Sequence, residues 1–541
     1  LGRSDQYLYP YYKNDIDTGK IDKEFAEDLV GSWLVKFNER VHQNPGDWEL
    51  HATDKDGQYN GVRPGTEAIY GAAENDESYN YGTSANHWLI NMILGGLNED
   101  GTDATNELSY ILLEQWAYLE AVVPVMSVRI HDSTPSDFKK LCCTILRNGA
   151  SEPALYNDNI IIDGLTKMGI PLEDARGYSN DGCWEPLIPG KTNFGFCMLH
   201  VLQLLEYILQ GGRSLVRNRI EKEGIVPLDS FGNYESFYRY FIKLLEENAV
   251  EEVSVRLMNI RERAIIAPSP LLSAFMDYSV ERGLEYSVGG AKYNLFGLTL
   301  TGLSNCVDSL AAIRKLVFEE RAYTLKEVAD ATKTNFEGNE IMRQRMLNGV
   351  PKFGNDNDYV DSICVRLMAD FAEIISRLRV RFSNENILLA PGVATFEYFV
   401  KWGHDIGASA DGRTAQSPVA SNYSPSHGMD VDGPTATIRS ITMPDLIPYT
   451  IGAPLDIEIN PNEMTGDSGL KRMESLIQTY MDLGGNILTI TGTSREKLIA
   501  AQKEPEKYQN LRVRLGGFSA YFISLSKEVQ NSIIGRTSHE L

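Results

Sequence analysis

Apolar residues recur at helical spacing along much of the chain. This pattern predicts helices over about 103–123, 198–212, 234–263, 304–333, 361–382 and 468–485. Shorter apolar runs predict a strand and turn over 386–397 and a strand over 486–492. Helices that are mixed with isolated strands in this way indicate an α/β fold.

Two stretches between these elements predict loops. Residues 147–198 are rich in turn-forming residues, and residues 402–436 are dense in Gly, Ser, Pro and Asp. Loops of this length inside a compact protein are usually functional or disordered. We therefore expect chemistry in or next to them.

The length of the chain and its net charge limit the classes of protein to which it can belong. The 541 residues are enough for a large buried core, and their formal net charge is −23. That charge repels phosphate backbones and anionic lipids, so we expect no nucleic-acid partner and no membrane partner. No apolar run is long enough to predict a membrane span, and the polar, aromatic start does not predict a signal peptide. Because the first residue is not Met, we expect a fragment or a processed subunit.

Cysteine usage indicates a reducing compartment. The chain has six cysteines, without a CxxC pair or a zinc-ligand spacing. We therefore expect no disulfide scaffold, no metal site and a cytoplasmic location.

Cys183 is the first candidate for chemistry, in the stretch "NDGCWEP". A buried structural thiol is the alternative interpretation. Gly182 permits a close backbone approach, and Cys183 and Glu185 point to the same face if this stretch is extended. Neighbouring carboxylates raise a thiol pKa, so Cys183 would stay an S–H group, a poor nucleophile but a good hydrogen-atom donor. Glu185 could then act as a general base or acid on the same substrate.

The stretch "LRVRLGGFSAYFISL" near the C-terminus predicts a β-hairpin with Gly516 and Gly517 in its turn. A structural turn is again the simpler interpretation. However, "VRLGGFSA" resembles the signature of the glycyl radical enzymes, and the match places Gly517 on the radical position. A radical on Cα needs a planar centre, which a Cβ would crowd, so only glycine suits it.

The resemblance extends over most of the chain. Blocks similar to the family cover residues 95–110, 152–159, 173–186, 407–436 and 500–522. Trp184 departs from the family, which often has a small aliphatic residue there. The larger departure is at the N-terminus, where about a third of the usual family chain is missing.

The resemblance implies a ten-stranded α/β barrel of two half-barrels, with the cysteine and glycine loops at its centre. Residues 1–400 would form an N-terminally incomplete barrel domain similar to pyruvate formate-lyase, and residues 401–541 the glycyl radical domain. No cofactor would be bound. A radical-SAM activating enzyme would install the radical on Gly517, and it would pass to Cys183 and then to the substrate. A homodimer, and a separate N-terminal subunit, are also expected.

The Cys-x-Glu pattern resembles the branch of the family that eliminates water or another group from small hydroxylated substrates. Arylacetate decarboxylases share the pattern and stay an alternative. A formate-lyase-like reaction would need two adjacent cysteines, and Cys142 and Cys143 are adjacent but lie in a predicted helix. An inactive or partner-dependent homologue is the non-enzymatic alternative.

Four further residues are candidates for shaping a substrate pocket, with core packing as the alternative: His87, Trp88, Phe194 and His200.

Overall fold

The computed structural model describes residues 1–38, 90–536 and 538–539. Its α-helices are Ser4–Tyr7, Tyr9–Asp17, Lys23–Asn38, Glu107–Tyr118, Ser136–Arg147, Asp158–Lys167, Leu172–Arg176, Val201–Leu209, Tyr234–Ile266, Pro270–Phe275, Ser279–Arg282, Leu303–Ala312, Leu325–Lys333, Glu340–Asn348, Asp358–Arg381, Phe399–Asp405, Pro434–Thr442, Gly466–Asp482, Arg495–Lys503 and Lys527–Ile534. Within the described ranges, none of the helices is both long enough and apolar enough to cross a membrane.

The strands are β1 (Asn91–Gly95), β2 (Val125–Ile130), β3 (Ala154–Asn157), β4 (Ser179–Asp181), β5 (Glu185–Leu187), β6 (Thr192–His200), β7 (Arg213–Ser214), β8 (Arg219–Ile220), β9 (Tyr293–Thr301), β10 (Leu388–Val393), β11 (Pro454–Ile459), β12 (Ile487–Gly492), β13 (Arg512–Leu515), β14 (Phe518–Tyr521) and β15 (Ser538–His539).

Two main sheets organise the described residues. The larger has the strand order β1-β2-β3-β12-β11-β15, and the smaller has the order β10-β9-β6. All pairs are parallel except β3 with β12. Strands β1, β2 and β9 are buried along their whole length, as expected of parallel strands covered on both faces. The fold is therefore α/β, as the pattern of the sequence predicts.

Three antiparallel strand pairs of the described residues stand apart from these sheets, and one of them joins β7 to β8. Strands β4 and β5 pair antiparallel and form the cysteine hairpin, and β13 and β14 pair antiparallel and form the glycine hairpin. The predicted C-terminal hairpin is thus confirmed, with Leu515 paired to Phe518 across a two-residue turn.

Most of the predicted helices are present. The helix Tyr234–Ile266 and the helix Asp358–Arg381 match their predicted ranges closely. The pattern over 304–333 proves to be two α-helices, Leu303–Ala312 and Leu325–Lys333. A π-helical segment, Ile313–Glu319, interrupts the α-helical hydrogen-bond pattern between them.

The loop predicted over 147–198 is the main error. It contains the helix Asp158–Lys167 and most of strand β6. Strand β6 pairs with β9 over nine residues, so tertiary pairing overrides the turn-forming Asn193 and Gly195 in its sequence. For the same reason, the helix predicted over 198–212 begins only at Val201.

A buried ion pair fastens the cysteine hairpin to the larger sheet. Arg129 on β2 makes two hydrogen bonds to Asp158, of 2.8 and 2.9 Å, and both side chains are fully buried. The same guanidinium donates to the carbonyl oxygen of Tyr178, immediately before β4, and lies 3.9 Å from the centre of the Tyr178 ring. This pair therefore fixes where the hairpin leaves the sheet.

We predict that Arg129→Met destabilises the protein by about 3–5 kcal/mol, because it leaves the Asp158 carboxylate buried without its partner. Urea denaturation measures the change. Lys167→Met is the matched control: Lys167 pairs with Asp163 at the surface, and we expect its loss to leave the free energy of unfolding nearly unchanged. Equal costs for the two variants would contradict this account.

Candidate active site

Cys183 lies in the turn of the cysteine hairpin, at residues 182–184. The turn requires Gly182, which has φ +52°, and a Cβ there would lie 2.9 Å from a carboxylate oxygen of Glu185. The backbone at Cys183 is therefore a turn and not extended, and Cys183 and Glu185 are close neighbours. Cys183 and Glu185 are both buried, at 5% and 2% exposure.

The Glu185 carboxylate folds back over the turn. Its Oε2 accepts hydrogen bonds from the backbone N–H groups of Cys183, at 2.9 Å, and of Trp184, at 2.8 Å. Burial is the main influence on this group and raises its pKa to about 8, although the two N–H donors act in the opposite direction. A carboxyl with such a pKa can exchange a proton near neutral pH.

Side chains from the larger sheet donate to two backbone carbonyl groups of this turn. The Asn91 side chain on β1 donates to the carbonyl oxygen of Gly182 at 2.9 Å. The Tyr156 hydroxyl on β3 donates to the carbonyl oxygen of Trp184 at 3.2 Å. Buried backbone groups without such partners would be costly. Hydrogen bonds from β1 and β3 of the larger sheet therefore hold the turn of the cysteine hairpin in place.

The glycine hairpin is fastened at its tip by Asn422. Gly516 has φ +59°, and a Cβ there would overlap the backbone of Phe396 and Glu397. The side chain of Asn422 accepts from the N–H groups of Thr395 and Phe396, both at 3.2 Å, and lies 3.5 Å from the carbonyl oxygen of Gly516. Asn422 thereby joins the glycine hairpin to the segment that follows β10.

A second buried ion pair holds the arms of the glycine hairpin. Arg514 on β13 donates to Glu152 at 2.9 Å, and the N–H of Ser519 on β14 donates to the same carboxylate oxygen at 2.9 Å. The guanidinium of Arg514 lies 4.6 Å from the centre of the Trp184 ring. Arg514 therefore contacts the cysteine hairpin while Glu152 clamps both strands of the glycine hairpin.

The two hairpins meet at their tips. A Cβ added to Gly517 would overlap Cβ and Sγ of Cys183 and lie 2.5 Å from its Cα. No other residue type fits position 517 without moving the cysteine hairpin. The structure thus brings Gly517, Cys183 and Glu185 together, although position 517 is far from the other two in sequence.

The surroundings of Cys183 keep its thiol protonated. Burial is the largest influence and raises the thiol pKa well above its ordinary value; the negative charges of Glu397 and then Glu185 raise it further. A buried thiol of this kind is a weak nucleophile and a weak metal ligand. Within the described ranges, no three His, Cys, Asp or Glu side chains are grouped so as to hold a metal ion.

The other predicted site residues lie elsewhere or cannot be placed. His87 and Trp88 lie outside the described residues. Phe194 lines a cavity of about 330 Å³ with, among others, Arg256, and none of the three residues at the hairpin tips lines that cavity. The ring of His200 packs 4.0 Å from that of Trp402, and burial lowers the His200 pKa to about 3, so this imidazole is neutral.

The adjacent cysteines Cys142 and Cys143 are on the helix Ser136–Arg147, as predicted. They are buried beside a cavity that is also lined by Glu474 of the helix Gly466–Asp482. Cys183, in contrast, is the cysteine that contacts Gly517.

Sequence reasoning did not single out three residues that build this site. Glu152 and Asn422 lie in blocks that resemble the family, but their roles depend on contacts across the fold. Glu397 is the last residue of the strand and turn predicted over 386–397, and the carboxyl ends of parallel strands are where ligands usually bind. This position at the end of a predicted strand is the feature of the sequence that could have indicated a role for Glu397 in the site.

Two family models cover the chain. Residues 1–389 match the model described as pyruvate formate lyase-like, and residues 419–523 match the glycine radical model. The chain belongs to the pyruvate formate lyase-like family of glycyl radical enzymes. Gly517 lies inside the matched glycine radical region, and Cys183 and Glu185 lie inside the pyruvate formate lyase-like region.

Several family members are similar over nearly the whole chain. It is 32% identical to trans-4-hydroxy-L-proline dehydratase from Clostridioides difficile, over 99% of this chain and 64% of that protein. It is 31% identical to isethionate sulfite-lyase from Oleidesulfovibrio alaskensis, over 100% of this chain and 62% of that protein. The glycerol-bound B12-independent glycerol dehydratase from Clostridium butyricum superposes with a TM-score of 0.86 and 32% identity, over 100% of this chain and 64% of that one. The chain thus spans less than two thirds of the length of these relatives.

We predict that Glu185 makes stability depend on pH. Its folded-state pKa is about 8 against an ordinary 4.5, so the folded protein holds this proton more tightly than the unfolded chain. The contribution to stability is therefore fully present below pH 4.5 and is lost as the pH rises through about 8, at no more than about 1.4 kcal/mol per unit.

Glu185→Gln should remove this dependence while keeping both backbone hydrogen bonds, since both N–H groups donate to one oxygen. Urea denaturation between pH 5 and about 8.5 checks the prediction. The free energy of unfolding of the variant should rise relative to that of the wild type as the pH rises. If the free energies of unfolding of the two proteins changed with pH in the same way, the raised pKa of Glu185 would be refuted.

Proposed function

We propose that this protein is a glycyl radical lyase that eliminates water or another leaving group from a small hydroxylated substrate. The observation that carries the proposal is the contact between Gly517 and Cys183 at the tips of two buried hairpins. A radical on the Gly517 Cα can there take the hydrogen atom from the Cys183 sulfur without any further movement of the chain. Since the chain spans less than two thirds of its relatives, activity, substrate and partners are all part of the proposal.

In this mechanism each step moves one hydrogen atom or one proton. The Gly517 radical takes H from the Cys183 S–H, and the resulting thiyl radical takes H from the hydroxyl-bearing carbon of the substrate. Glu185 accepts the hydroxyl proton while the group on the neighbouring carbon leaves with its bonding electrons. The product radical then takes H back from Cys183, and Cys183 takes H back from Gly517, so the radical is restored.

The environment of the site supports these roles. The high thiol pKa keeps the hydrogen on sulfur, which the first step needs. With a pKa of about 8, Glu185 exchanges between its protonated and ionised forms near neutral pH, and the ionised form can take the hydroxyl proton and release it afterwards. Burial of both hairpins keeps water away from the radicals.

The same proposal covers the finer points of architecture and partners. The six-stranded and three-stranded sheets would be parts of the two half-barrels of a ten-stranded barrel, with a barrel domain over 1–400 and a radical domain over 401–541. A radical-SAM activating enzyme would generate the radical in the anaerobic cytoplasm. Phe194 and His200 stay predictions for substrate contacts.

We predict that Cys183→Ser keeps the glycyl radical and abolishes turnover, because an alcohol O–H is much harder to cleave homolytically than an S–H. The measurement is EPR of anaerobically activated protein, in which the α-hydrogen of Gly517 should give a doublet. Gly517→Ala should lose the doublet, and Cys197→Ser, a matched control on β6, should keep both signal and activity. Turnover by Cys183→Ser would overturn the assignment of the thiol.

We predict that Glu185→Gln lowers product formation by on the order of 10²–10⁴, because the amide cannot accept the hydroxyl proton. Deuterium from solvent should still enter recovered substrate through the thiol, since hydrogen abstraction does not need Glu185. The substrate is first identified with a panel of vicinal diols, amino alcohols, hydroxyprolines, hydroxysulfonates and arylacetates. Full activity of the variant would exclude elimination, and release of carbon dioxide from an arylacetate would assign the protein to the decarboxylases.

A further inference from the structure

Glu397 is a second buried carboxyl group at the meeting point of the hairpins. Its backbone N–H and the carbonyl of Phe396 lie against the tip of the glycine hairpin, where a Cβ on Gly516 would overlap them. The Glu397 side chain is 7% exposed. The segment is rigidly held, because Asn422 accepts from the backbone of Thr395 and Phe396.

Glu397 lies close enough to Cys183 to influence the thiol directly. Among the charged groups that raise the Cys183 pKa, Glu397 comes before Glu185. Phe396, its neighbour, belongs to the same apolar cluster as Cys183 and Trp184. Glu397 therefore joins Gly517 and Glu185 as a neighbour of the Cys183 thiol, and its backbone lies against the glycine hairpin.

The charges around the thiol do not balance within the described residues. The buried cation in contact with the cysteine hairpin, Arg514, is already paired with Glu152. Glu185 and Glu397 form no ion pair in the part of the chain that the structure describes; Glu397 is hydrogen-bonded by the side chain of Tyr398. Two buried carboxyl groups thus lie near the thiol without a cation from these residues, and burial raises the pKa of both, which favours their protonated forms. A ligand that brings a positive charge would instead stabilise the ionised form of such a carboxyl group and displace its proton.

We propose that Glu397 forms a cation subsite, so that the substrate is a hydroxylated amine whose ammonium group pairs with the Glu397 carboxylate. This inference rests on the proposed function and selects one class among the substrates that elimination allows. Glu185 would serve the hydroxyl group, as above, and Glu397 the charged end of the same small molecule. A hydroxysulfonate would instead bring a second negative charge to two carboxyl groups and would be repelled.

The test uses three two-carbon alcohols whose second carbon carries groups of different charge: ethanolamine is a cation, ethylene glycol is neutral and isethionate is an anion. Binding to the unactivated protein is measured by ligand-observed NMR at one pH and ionic strength. We expect the wild type to prefer ethanolamine over ethylene glycol, and ethylene glycol over isethionate.

Glu397→Gln should weaken ethanolamine binding on the order of 10- to 100-fold, leave ethylene glycol unchanged and improve isethionate. Glu397→Met, which is similar in volume but apolar, should show the same order of effects. Because each protein is compared across three ligands, partial unfolding of a variant lowers all signals alike and leaves the ratios intact. Glu252→Gln is the control, since Glu252 is a half-buried carboxyl whose pKa is also raised by burial, but it lies on the helix Tyr234–Ile266.

The outcomes separate this inference from the proposed function. If wild-type protein discriminates by charge through Glu397 but activated protein eliminates nothing from any alcohol, the subsite stands and the elimination fails. If elimination occurs but Glu397→Gln leaves the three affinities unchanged, or shifts them by one common factor, the subsite is wrong. Loss of turnover of a neutral diol with unchanged binding would also overturn it, because Glu397 would then act on the leaving group.

Discussion

The site depends on one steric constraint: Cys183 lies so close to Gly517 that position 517 has no room for a Cβ. Hairpin tips normally lie at the surface, where water satisfies their backbone groups. Here both tips are buried, so each N–H and carbonyl must find a partner in the protein. The rest of the site follows from meeting that requirement while the two tips keep their contact.

The required partners are long-range, and they differ for the two hairpins. The cysteine turn is served by Asn91 and Tyr156 from the larger sheet and by its own Glu185. The glycine hairpin depends on the Glu152 carboxylate, which accepts from both strands, and on Asn422. A displacement of any of these side chains changes the approach of sulfur to the Gly517 Cα. Specific placement, and not only burial, is therefore what these polar residues provide.

The sequence predicts the parts of this site better than their assembly. Gly182 and Gly516 are recognisable because the turns need positive φ angles, a local property that leaves a local signal. The resemblance to the family supplies the pairing of Gly517 with Cys183. In contrast, only its place at the end of a predicted strand and turn marks Glu397, and strand β6 is missed because its pairing with β9 overrides turn-forming residues. Contacts between segments distant in sequence leave no periodicity to detect.

The negative groups around Cys183 favour one kind of chemistry and oppose another. A nucleophilic cysteine needs a cation or a helix N-terminus to stabilise its thiolate. Here burial, Glu397 and Glu185 all disfavour the thiolate, whereas a neutral S–H group loses nothing in an apolar, acidic surrounding. Hydrogen-atom transfer creates no charge on sulfur, so these surroundings do not oppose it. The carboxyl groups can thus handle the protons and charges of a substrate without activating the thiol as a nucleophile, and this separation lets radical and acid–base steps share one small buried site.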